Sequence, residues 1–338
     1  MIYITGANGW LGLNLIDSII SGRTEQWGLK KKQINALILP GTDKKKILNI
    51  SKEVKIYEGD ITDVGSIEKF LSSAKNSIIF HLAGIIHPIK VTDFFRVNEQ
   101  GTKNLMDCAI RSSIKKMIIM SSNSPCGCNK DHRSLFDEKS TYNPYMNYGK
   151  SKMKMEIIAN NYFSKGLLDL TIIRSPWFYG PFQPKRQKIF FDMIKNGKGP
   201  IVGDGSNLRS MAYTENIVQG LALASNNKIA SGKTYWIADN RPYTMTEIIN
   251  TIEDLLIKKF NIKCNCGRLK LPFFVSEIAE KIDFTLQKFG LYHQKIHVLS
   301  EMNKNIACSI DLAKAELGYR PDYSLKEGML KSLKEVYH

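Results

Sequence analysis

The stretch Thr5-Gly6-Ala7-Asn8-Gly9-Trp10-Leu11-Gly12 decides the fold, because it joins a short apolar run to a longer amphipathic one. In a strand–turn–helix unit, Gly6 permits the tight turn, Gly9 lets the backbone approach a phosphate, and Gly12 lets the helix pack closely. The N–H groups and the positive dipole end at the start of the helix then attract an anion. The stretch predicts a dinucleotide site formed by Gly6, Asn8, Gly9, Trp10, Leu11 and Gly12.

Short apolar runs rich in Ile alternate with amphipathic segments through the first half of the chain. The runs predict strands at Ile2–Thr5, Ile34–Leu39, Val54–Tyr57, Ser77–Leu82, Lys116–Ser121 and Leu170–Arg174. The segments predict helices at Leu11–Ser21, Ser66–Ala74, Phe94–Ser112 and Tyr148–Phe163. This alternation predicts an α/β, doubly wound parallel-sheet Rossmann fold over residues 1–175. The polar, basic stretch 22–33 is expected to form a surface loop.

Prolines and glycines cluster after Arg174, and further helical patterns follow at Glu215–Ser225 and Thr246–Phe260. We expect a smaller, mixed α/β C-terminal substrate domain from residues 176–209 and 239–338, with 210–238 returning to the first domain. The amphipathic stretch Phe273–Phe289 carries Phe and Leu on one side. Such a face can lie on a membrane surface, but it more often packs on the body of its own protein, and we expect the latter.

The chain has 338 residues and a net charge of +16 from 48 basic and 32 acidic residues. Because the basic residues are spread along the whole chain, they indicate a solvated surface rather than a nucleic-acid site. No run of about 18 apolar residues occurs, and the first residues read as a strand rather than a leader. These features predict a cytoplasmic protein with a small-molecule partner and with neither a nucleic acid nor a membrane as partner.

Six cysteines are present, and two C-x-C pairs occur at Cys126/Cys128 and Cys264/Cys266. A cytosolic chain is expected to keep these as reduced thiols. Zinc sites usually have gaps of two to four residues within each pair, so these pairs do not favour a metal. We therefore expect no metal ion.

The segment Tyr148-Gly149-Lys150-Ser151-Lys152 places a phenol and an ammonium four residues apart, on one face of the predicted helix. A free phenol has a pKa of about 10, and a nearby cation favours the phenolate. Ser121 and Ser122 end an apolar strand and could offer a hydroxyl to the same substrate oxygen. A chance Tyr–Lys spacing and a purely structural serine remain the alternatives.

The glycine spacing G-x-x-G-x-x-G, then His81-Leu82-Ala83-Gly84, then the Tyr148/Lys152 pair occur in the order of a known family. The sequence resembles the extended branch of the short-chain dehydrogenase/reductase superfamily. That branch holds sugar-nucleotide epimerases, dehydratases and reductases, 3β-hydroxysteroid dehydrogenases and dihydroflavonol reductases. The resemblance implies an enzyme that transfers a hydride between a substrate carbon and a nicotinamide.

The resemblance also implies roles for individual residues. The catalytic set is Ser122, Tyr148 and Lys152, with Tyr148 as general acid/base and Lys152 tuning it and holding the ribose; Ser121 or Ser124 could replace Ser122. Asp60 resembles the adenine-contacting acid, although a helix N-cap or a turn residue is the alternative. Asn98 resembles a motif Asn, although it could be merely exposed. The implied cofactor-binding positions beyond the glycine turn are Asp60, Ile61, Leu82, Ala83, Gly84, Asn98, Ser121, Tyr148, Lys152, Ser175, Pro176 and Trp177.

The segment Gly203–Arg209 resembles the loop whose Arg clamps the diphosphate of a sugar nucleotide, a task that suits a guanidinium. We expect Arg209, Asn123, Ser124 and Trp177 to bind substrate, with an ordinary surface Arg as the alternative for Arg209. Two departures matter. Trp177 stands where nucleotide-sugar epimerases place Asn, and the loop 122–124 lacks the carboxylates of the dehydratases, which argues against dehydration. Lys185, Arg186 and Lys188 could add positive charge.

The cofactor is NAD or NADP. The acid that binds the ribose in NAD enzymes is missing after Leu39, and Lys44, Lys45 and Lys46 could meet a 2′-phosphate. The sequence therefore leans to NADP, although Asp43 could reach back.

The expected substrate is a phosphate-bearing, nucleotide-linked sugar. A steroid- or flavonol-like alcohol, favoured by Trp177 and Phe190-Phe191, and a non-catalytic NAD(P) sensor are the alternatives. A homodimer through the helices Phe94–Ser112 and Tyr148–Phe163 is expected.

Overall fold

The fold is built on one parallel sheet in the computed structural model, which describes residues 1–265 and 267–337. Seven strands follow the order β11-β6-β5-β4-β1-β2-β3, and every neighbouring pair is parallel. The predicted doubly wound parallel-sheet Rossmann fold is confirmed. The strands are β1 Ile2–Thr5, β2 Ile34–Ile38, β3 Lys55–Glu58, β4 Ile78–His81, β5 Lys116–Ser121, β6 Leu170–Arg174, β7 Trp177–Tyr179, β8 Gly199–Val202, β9 Leu208–Arg209, β10 Met211–Tyr213, β11 Thr234–Trp236, β12 Tyr243–Thr244 and β13 Arg268–Leu271.

Helices cover both faces of the sheet. Because successive side chains of a strand point to opposite faces, Ile4 of β1 joins one core and Tyr3 joins the other. The helices are α1 Trp10–Ile20, α2 Lys45–Ile50, α3 Val64–Leu71, α4 Val91–Phe94, α5 Thr102–Arg111, α6 Met146–Ser164, α7 Lys185–Lys195, α8 Thr214–Asn226, α9 Met245–Phe260, α10 Phe273–Lys288, α11 Gln294–Glu301, α12 Asp311–Leu317 and α13 Leu325–Lys334.

The strand order reverses at β1, which has β2 on one side and β4 on the other. In open α/β sheets the crevice at such a switch point, outside the carboxyl ends of the strands, is where ligands bind. The glycine turn follows β1 directly and therefore lies at this crevice. The fold thus places the predicted phosphate-binding turn at the edge where a ligand site is expected.

The second half of the chain adds a third core and three two-stranded sheets. The pairs β7–β10 and β8–β13 are parallel, and β9–β12 is antiparallel, so this part is mixed α/β. Its core contains Tyr179, Phe191, Ile248 and Leu256. The strand β11 completes the main sheet beside β6, and Ala313 and Leu317 of α12 join the core of the main sheet.

Three stretches differ from the sequence expectation. Residues 22–33 are more than a surface loop, because a 3₁₀ turn at Glu25–Trp27 inserts Trp27 and Leu29 into the core. The helix predicted at Phe94–Ser112 is divided into α4, a π-helical turn at Phe95–Gly101, and α5. The third is α10, whose Phe and Ile side chains face solvent instead of packing on the protein.

None of the helices in residues 1–265 and 267–337 combines the length and the apolar character that crossing a bilayer requires.

Candidate active site

The glycine turn is shaped by close backbone contacts. Gly6 has φ +68°, and a Cβ there would lie 2.6 Å from the backbone N of Ala83. A Cβ on Gly12 would lie 2.4 Å from the carbonyl oxygen of Gly6. Gly9 precedes α1 and supplies no side-chain cap to its N–H groups. The first N–H groups of α1 are thus left for a ligand, and the turn fits a diphosphate.

Side chains around the turn fasten it to neighbouring loops. The Trp10 indole donates a hydrogen bond to the Pro181 carbonyl at 2.8 Å, and the Asn8 amide donates to the Asp43 carbonyl at 2.9 Å. Leu11 is buried in the core. The side chains of Asn8, Trp10 and Leu11 are therefore engaged within the protein, which leaves their backbone as the part predicted to meet a cofactor.

Asp60 and Ile61 follow β3 at the same edge. An oxygen of Asp60 accepts a hydrogen bond from the Thr62 N–H at 2.8 Å, which forms a local turn. Asp63, and not Asp60, is the N-cap of α3, since its carboxylate accepts from Gly65 and Ser66. Asp60 is therefore not the helix cap, but the alternative of a turn residue agrees with this local turn. Ile61 is buried against Gly101.

Asn98 is fully enclosed, so the alternative of an exposed mid-helix residue is wrong. Its side chain exchanges two hydrogen bonds with the backbone of Ile85, at 2.8 and 3.0 Å, and donates a third to the Ser151 hydroxyl. The π-helical turn that carries Asn98 makes this reach possible. Asn98 thereby fixes the segment Leu82-Ala83-Gly84 that follows β4.

His81 lies beneath that segment and braces it. Its two ring nitrogens are hydrogen bonded to the hydroxyls of Thr5 and Thr102, at 2.7 and 2.8 Å. Burial, together with the charge of Lys152, lowers the pKa of His81 to about 3. The ring is therefore neutral at physiological pH and acts as a fixed strut between β1, β4 and α5.

Ser122, Tyr148 and Lys152 come together at the carboxyl end of β5. The Ser122 hydroxyl lies near enough to the Tyr148 phenol to favour its ionised form, which opposes the rise in the pKa of Tyr148 that burial causes. The Lys152 ammonium is buried and donates to the Met120 carbonyl at 2.7 Å. The Ser122 hydroxyl also accepts from the Ser124 N–H at 3.1 Å. Ser122 and Tyr148 thus bring two hydroxyls to this edge, while the Lys152 ammonium is buried behind them, against Met120 and Met155.

The two titratable groups differ from the sequence expectation in one respect. Burial raises the pKa of Tyr148 above its ordinary value, and the Ser122 hydroxyl opposes this only in part. Burial lowers the pKa of Lys152 to about 8, and the Glu156 carboxylate opposes that shift. The phenol is therefore protonated, because the cost of a buried phenolate outweighs the opposing effects of Ser122 and of the Arg186 charge.

A buried ionic network supports this site from below. Glu156 lies one turn after Lys152 on α6 and accepts two hydrogen bonds from the Arg174 guanidinium, at 2.6 and 3.1 Å. The same carboxylate accepts from the hydroxyls of Ser121 and Tyr142. Since the Ser121 hydroxyl is engaged there, Ser122 and Ser124 are the serines left for a substrate. The four-residue spacing from Lys152 to Glu156 is the sequence signal that indicates this buried carboxylate.

Ser175, Pro176 and Trp177 pass along the other side of the crevice. Ser175 and Pro176 are buried, and the Ser175 hydroxyl has no hydrogen-bond partner in the described structure. The Trp177 ring packs at a tilt against Phe190, with centroids 5.5 Å apart. Phe191 belongs to the core and is not available to a ligand.

Arg209, together with Asn123 and Ser124 in the loop after β5, was predicted to bind the substrate. Arg209 is 8 % exposed, which argues against an ordinary surface Arg. One terminal nitrogen donates to the Glu301 carbonyl, while its Nε has no partner in the described structure. Asn123 and Ser124 shape the loop, since their carbonyls accept from Gly127. A buried guanidinium with an unused donor suits an anionic ligand.

The tertiary structure adds residues that the sequence did not indicate. The His87 ring and the Tyr292 hydroxyl are hydrogen bonded at 2.7 Å, and the Phe94 ring lies between Tyr292 and Tyr148, with centroids 5.3 and 5.8 Å away. Burial raises the pKa of Tyr148, and the positive charge of Arg186 is one of the groups that oppose this shift. Of the three basic residues considered near the substrate, Lys188 instead pairs with Asp192.

The cysteines do not form a cluster in the described part of the chain. Residues 1–265 and 267–337 contain no group of three His, Cys, Asp or Glu side chains able to hold a metal. Cys266, and with it the second C-x-C pair, lies outside the described residues. Burial raises the pKa of Cys126 to about 11 and that of Cys128 to about 12, so both thiols are protonated and unreactive.

A parallel sheet with a glycine turn at its switch point, and a Tyr–Lys pair beside it, defines the class of dinucleotide-binding Rossmann enzymes. The family model of the NAD dependent epimerase/dehydratase family matches residues 2–238. The chain belongs to this family, and it is an enzyme of the extended short-chain dehydrogenase/reductase type, as the sequence predicted.

Relatives and solved structures agree with this assignment. A Sinorhizobium fredii protein designated y4nL is 42 % identical over 98 % of this chain and 94 % of its own length. The N-acetyl-α-D-glucosaminyl-diphospho-ditrans,octacis-undecaprenol 4-epimerase of Escherichia coli is 26 % identical over 76 % of this chain and 73 % of its own. The Thermotoga maritima UDP-glucose 4-epimerase, solved with UDP-glucose, shares the fold with a TM-score of 0.78 and 19 % identity, over 99 % of this chain and 97 % of that one.

The depressed pKa of His81 predicts an acid-dependent loss of stability. Between pH 6.5 and pH 3 the unfolded chain binds a proton at this ring and the folded chain does not, so stability falls as the pH falls. From pH 7 to pH 5 the wild type should lose about 2 kcal/mol through this group. His81→Gln has no titrating group at this position. Its free energy of unfolding, measured with urea at pH 7 and at pH 5, should therefore fall by that much less than that of the wild type. The exposed His132→Gln serves as control and should follow the wild type; an equal loss in all three proteins contradicts the assignment.

Proposed function

We propose that this protein is an NAD(P)-dependent epimerase or reductase of a sugar carried on a diphosphate. The observation that carries the proposal is the meeting of Tyr148, Ser122 and Lys152 at the crevice that the glycine turn opens. In the cofactor, the nicotinamide supplies or accepts the hydride when it is bound. The residues of the chain hold the substrate and move the proton.

The geometry supports a division of labour among these residues. The protonated Tyr148 phenol is in the state that donates a proton to a substrate oxygen, and Ser122 lies beside it. The Lys152 ammonium is held by the Met120 carbonyl and the Met155 sulfur, and its role toward a ribose hydroxyl is part of the proposal. The loop 122–124 contains no carboxylate that could remove a carbon-bound proton, so epimerisation or reduction is favoured over dehydration.

A substitution of the phenol tests this role. Tyr148→Phe should lower turnover by about 10²–10⁴-fold, because the general acid is lost, and should leave dinucleotide affinity unchanged. Turnover is measured with a panel of UDP-, GDP- and dTDP-sugars, and affinity by fluorescence titration with the reduced cofactor. Tyr162→Phe is the matched control, since Tyr162 lies on the same helix and donates to Asp107 far from the crevice. Equal turnover by the two variants would overturn the proposal.

The substrate class rests on Arg209. Its guanidinium is buried at the substrate end of the site and has an unused Nε donor, an arrangement that suits a diphosphate. The named relatives support a diphosphate as the shared group, since one acts on a sugar linked through diphosphate to undecaprenol and another was solved with UDP-glucose. A steroid- or flavonol-like alcohol would leave this guanidinium unpaired, which is costly in a buried site.

Arg209→Lys keeps the charge and removes the planar fork, so it separates recognition of a diphosphate from general charge attraction. It should weaken UDP binding by about tenfold in calorimetry, equivalent to about 1.4 kcal/mol, while dinucleotide affinity stays unchanged. Arg241→Lys, at an exposed Arg paired with Glu247, is the control and should bind UDP like the wild type. Undiminished UDP binding by Arg209→Lys would favour the alcohol substrate instead.

We also propose that the cofactor site accepts a 2′-phosphate. The Asp43 carboxylate accepts a hydrogen bond from the Lys45 N–H at 2.9 Å, so it is engaged in a local turn and does not reach back toward a ribose. Lys44 is paired with Glu58, whereas Lys45 and Lys46 are exposed and have no ion-pair partner among the described residues. The Asn8 side chain joins this loop to the glycine turn, which supports a position of the two lysines near the ribose.

Replacement of both lysines distinguishes NADP from NAD. Lys45→Ala/Lys46→Ala should weaken NADPH binding by about tenfold and leave NADH binding unchanged, because only NADPH carries the extra phosphate. Lys30→Ala/Lys32→Ala, at the amino end of β2 and thus at the opposite edge of the sheet, provides the control. Equal effects on NADPH and NADH in the Lys45/Lys46 variant would contradict a 2′-phosphate site.

A further inference from the structure

The helix α10 presents its polar side to the protein and its apolar side to solvent. Ser276, Asp283 and Gln287 are buried, whereas Phe274, Ile278 and Ile282 are about half exposed, at 56, 50 and 45 %. These three apolar residues are spaced four apart and therefore form one stripe along the helix. The usual orientation of an amphipathic helix on a protein is the reverse.

The buried polar residues explain the orientation, because each holds a neighbouring element of the site. The Gln287 side-chain oxygen accepts from the backbone and the side chain of Asn147, next to Tyr148, at 3.0 Å each. Asp283 accepts from Gln287 and is hydrogen bonded to His297 of α11 at 2.7 Å. The polar side of α10 is thus committed to the interior, and its apolar side is left outside.

The apolar surface extends beyond the helix. Phe289, just past α10, is 77 % exposed, Leu291 is 55 % exposed, and Ile89 in the loop after β4 is 84 % exposed. The two segments are joined by a backbone bridge between Lys90 and Leu291. The stripe residues Ile278 and Ile282 also form one wall of an apolar groove of about 210 Å³ between α10 and α11. Its other lining residues are Val275, Ala279, Ile296 and Leu299. We call the surface formed by Phe274, Ile278, Ile282, Phe289, Leu291 and Ile89 the apolar rim.

The apolar rim adjoins the candidate active site. Tyr292, which directly follows Leu291, is hydrogen bonded to His87 and packs edge-to-face on Phe94. Phe94 in turn contacts the ring of Tyr148. A partner that covers the rim would therefore lie at the mouth of the crevice and not on a remote face.

Exposed cations flank the apolar rim. Lys281 and Lys288 lie on α10 beside the stripe, and Lys90 lies in the loop that carries Ile89. None of these three ammonium groups is ion-paired with a side chain of the described residues, so all three are available to an anionic surface. The chain as a whole carries a net charge of +16. Lysines around exposed Phe and Ile side chains are the pattern of a helix that lies in the interface of an anionic bilayer.

We propose that the apolar rim docks this protein on the surface of an anionic lipid membrane, with α10 in the plane of the interface. Phe274, Ile278 and Phe289 enter the boundary between headgroups and acyl chains, and Lys90, Lys281 and Lys288 meet the lipid phosphates. The proposal goes beyond the proposed function and does not depend on turnover. It also revises the expectation that no membrane is a partner.

Cosedimentation of the full chain with vesicles tests the proposal without substrate or cofactor. The wild type should bind vesicles of equal parts phosphatidylcholine and phosphatidylglycerol. It should bind vesicles of phosphatidylcholine alone more weakly, because each basic residue near an anionic surface contributes about 1 kcal/mol. Phe274→Ser/Ile278→Ser/Phe289→Ser should reduce binding by at least about tenfold, since the buried apolar area is lost. Lys90→Gln/Lys281→Gln/Lys288→Gln should reduce binding to the anionic vesicles only.

The matched control is Leu48→Ser/Ile229→Ser/Ile257→Ser, which removes comparably exposed apolar side chains on other surfaces and should bind like the wild type. Thermal unfolding of each variant verifies that it folds. The proposal is overturned if the wild type does not bind anionic vesicles, or if the control loses binding as much as the rim variant. A third outcome also overturns the proposal: the rim variant binds vesicles like the wild type but sediments as a smaller species in their absence. In that case a second copy of the chain, and not a membrane, covers the rim.

Discussion

The site depends on the close approach of two backbones at the switch point of the sheet. Gly6 lies so near the Leu82–Ala83 backbone that a Cβ would overlap it, and Gly12 approaches the turn just as closely. These contacts hold the start of α1 against the ends of β1 and β4, so its free N–H groups face the crevice. Any larger side chain at Gly6 or Gly12 would separate the elements that define the phosphate end of the site.

Buried charges organise the chemical end of the same crevice. Lys152, Glu156 and Arg174 are almost fully enclosed, and burying such groups is unfavourable unless each is paired. The Glu156 carboxylate binds Arg174 and the Ser121 and Tyr142 hydroxyls, and its charge supports the protonated form of Lys152. Because Ser121 is occupied, the neighbouring Ser122 is the hydroxyl presented beside Tyr148. The network therefore selects which groups face a ligand.

The helix α10 connects this interior organisation to the outer surface. Its Asp283 and Gln287 side chains hold α11 and the start of α6, so the helix cannot turn its apolar stripe inward without breaking those hydrogen bonds. Breaking these hydrogen bonds would leave buried polar groups on α6, α10 and α11 without partners, and each such group is destabilising. The exposed stripe is thus a consequence of how the catalytic helix α6 is supported.

The sequence by itself determined the strand–turn–helix at Gly6–Gly12, the parallel sheet, the position of the Tyr148/Lys152 pair, and the family. These follow from local spacing and from periodicity, which a single chain displays directly. Only the tertiary structure decided that Asn98 is enclosed, that Glu156 and Arg174 lie under the site, that Phe94 lies between Tyr292 and Tyr148, and that α10 is oriented with its apolar side outward. Each of these depends on contacts between residues far apart in the chain. An amphipathic pattern shows that a helix has two sides, but which side is buried depends on the hydrogen-bond partners that the rest of the fold brings to it.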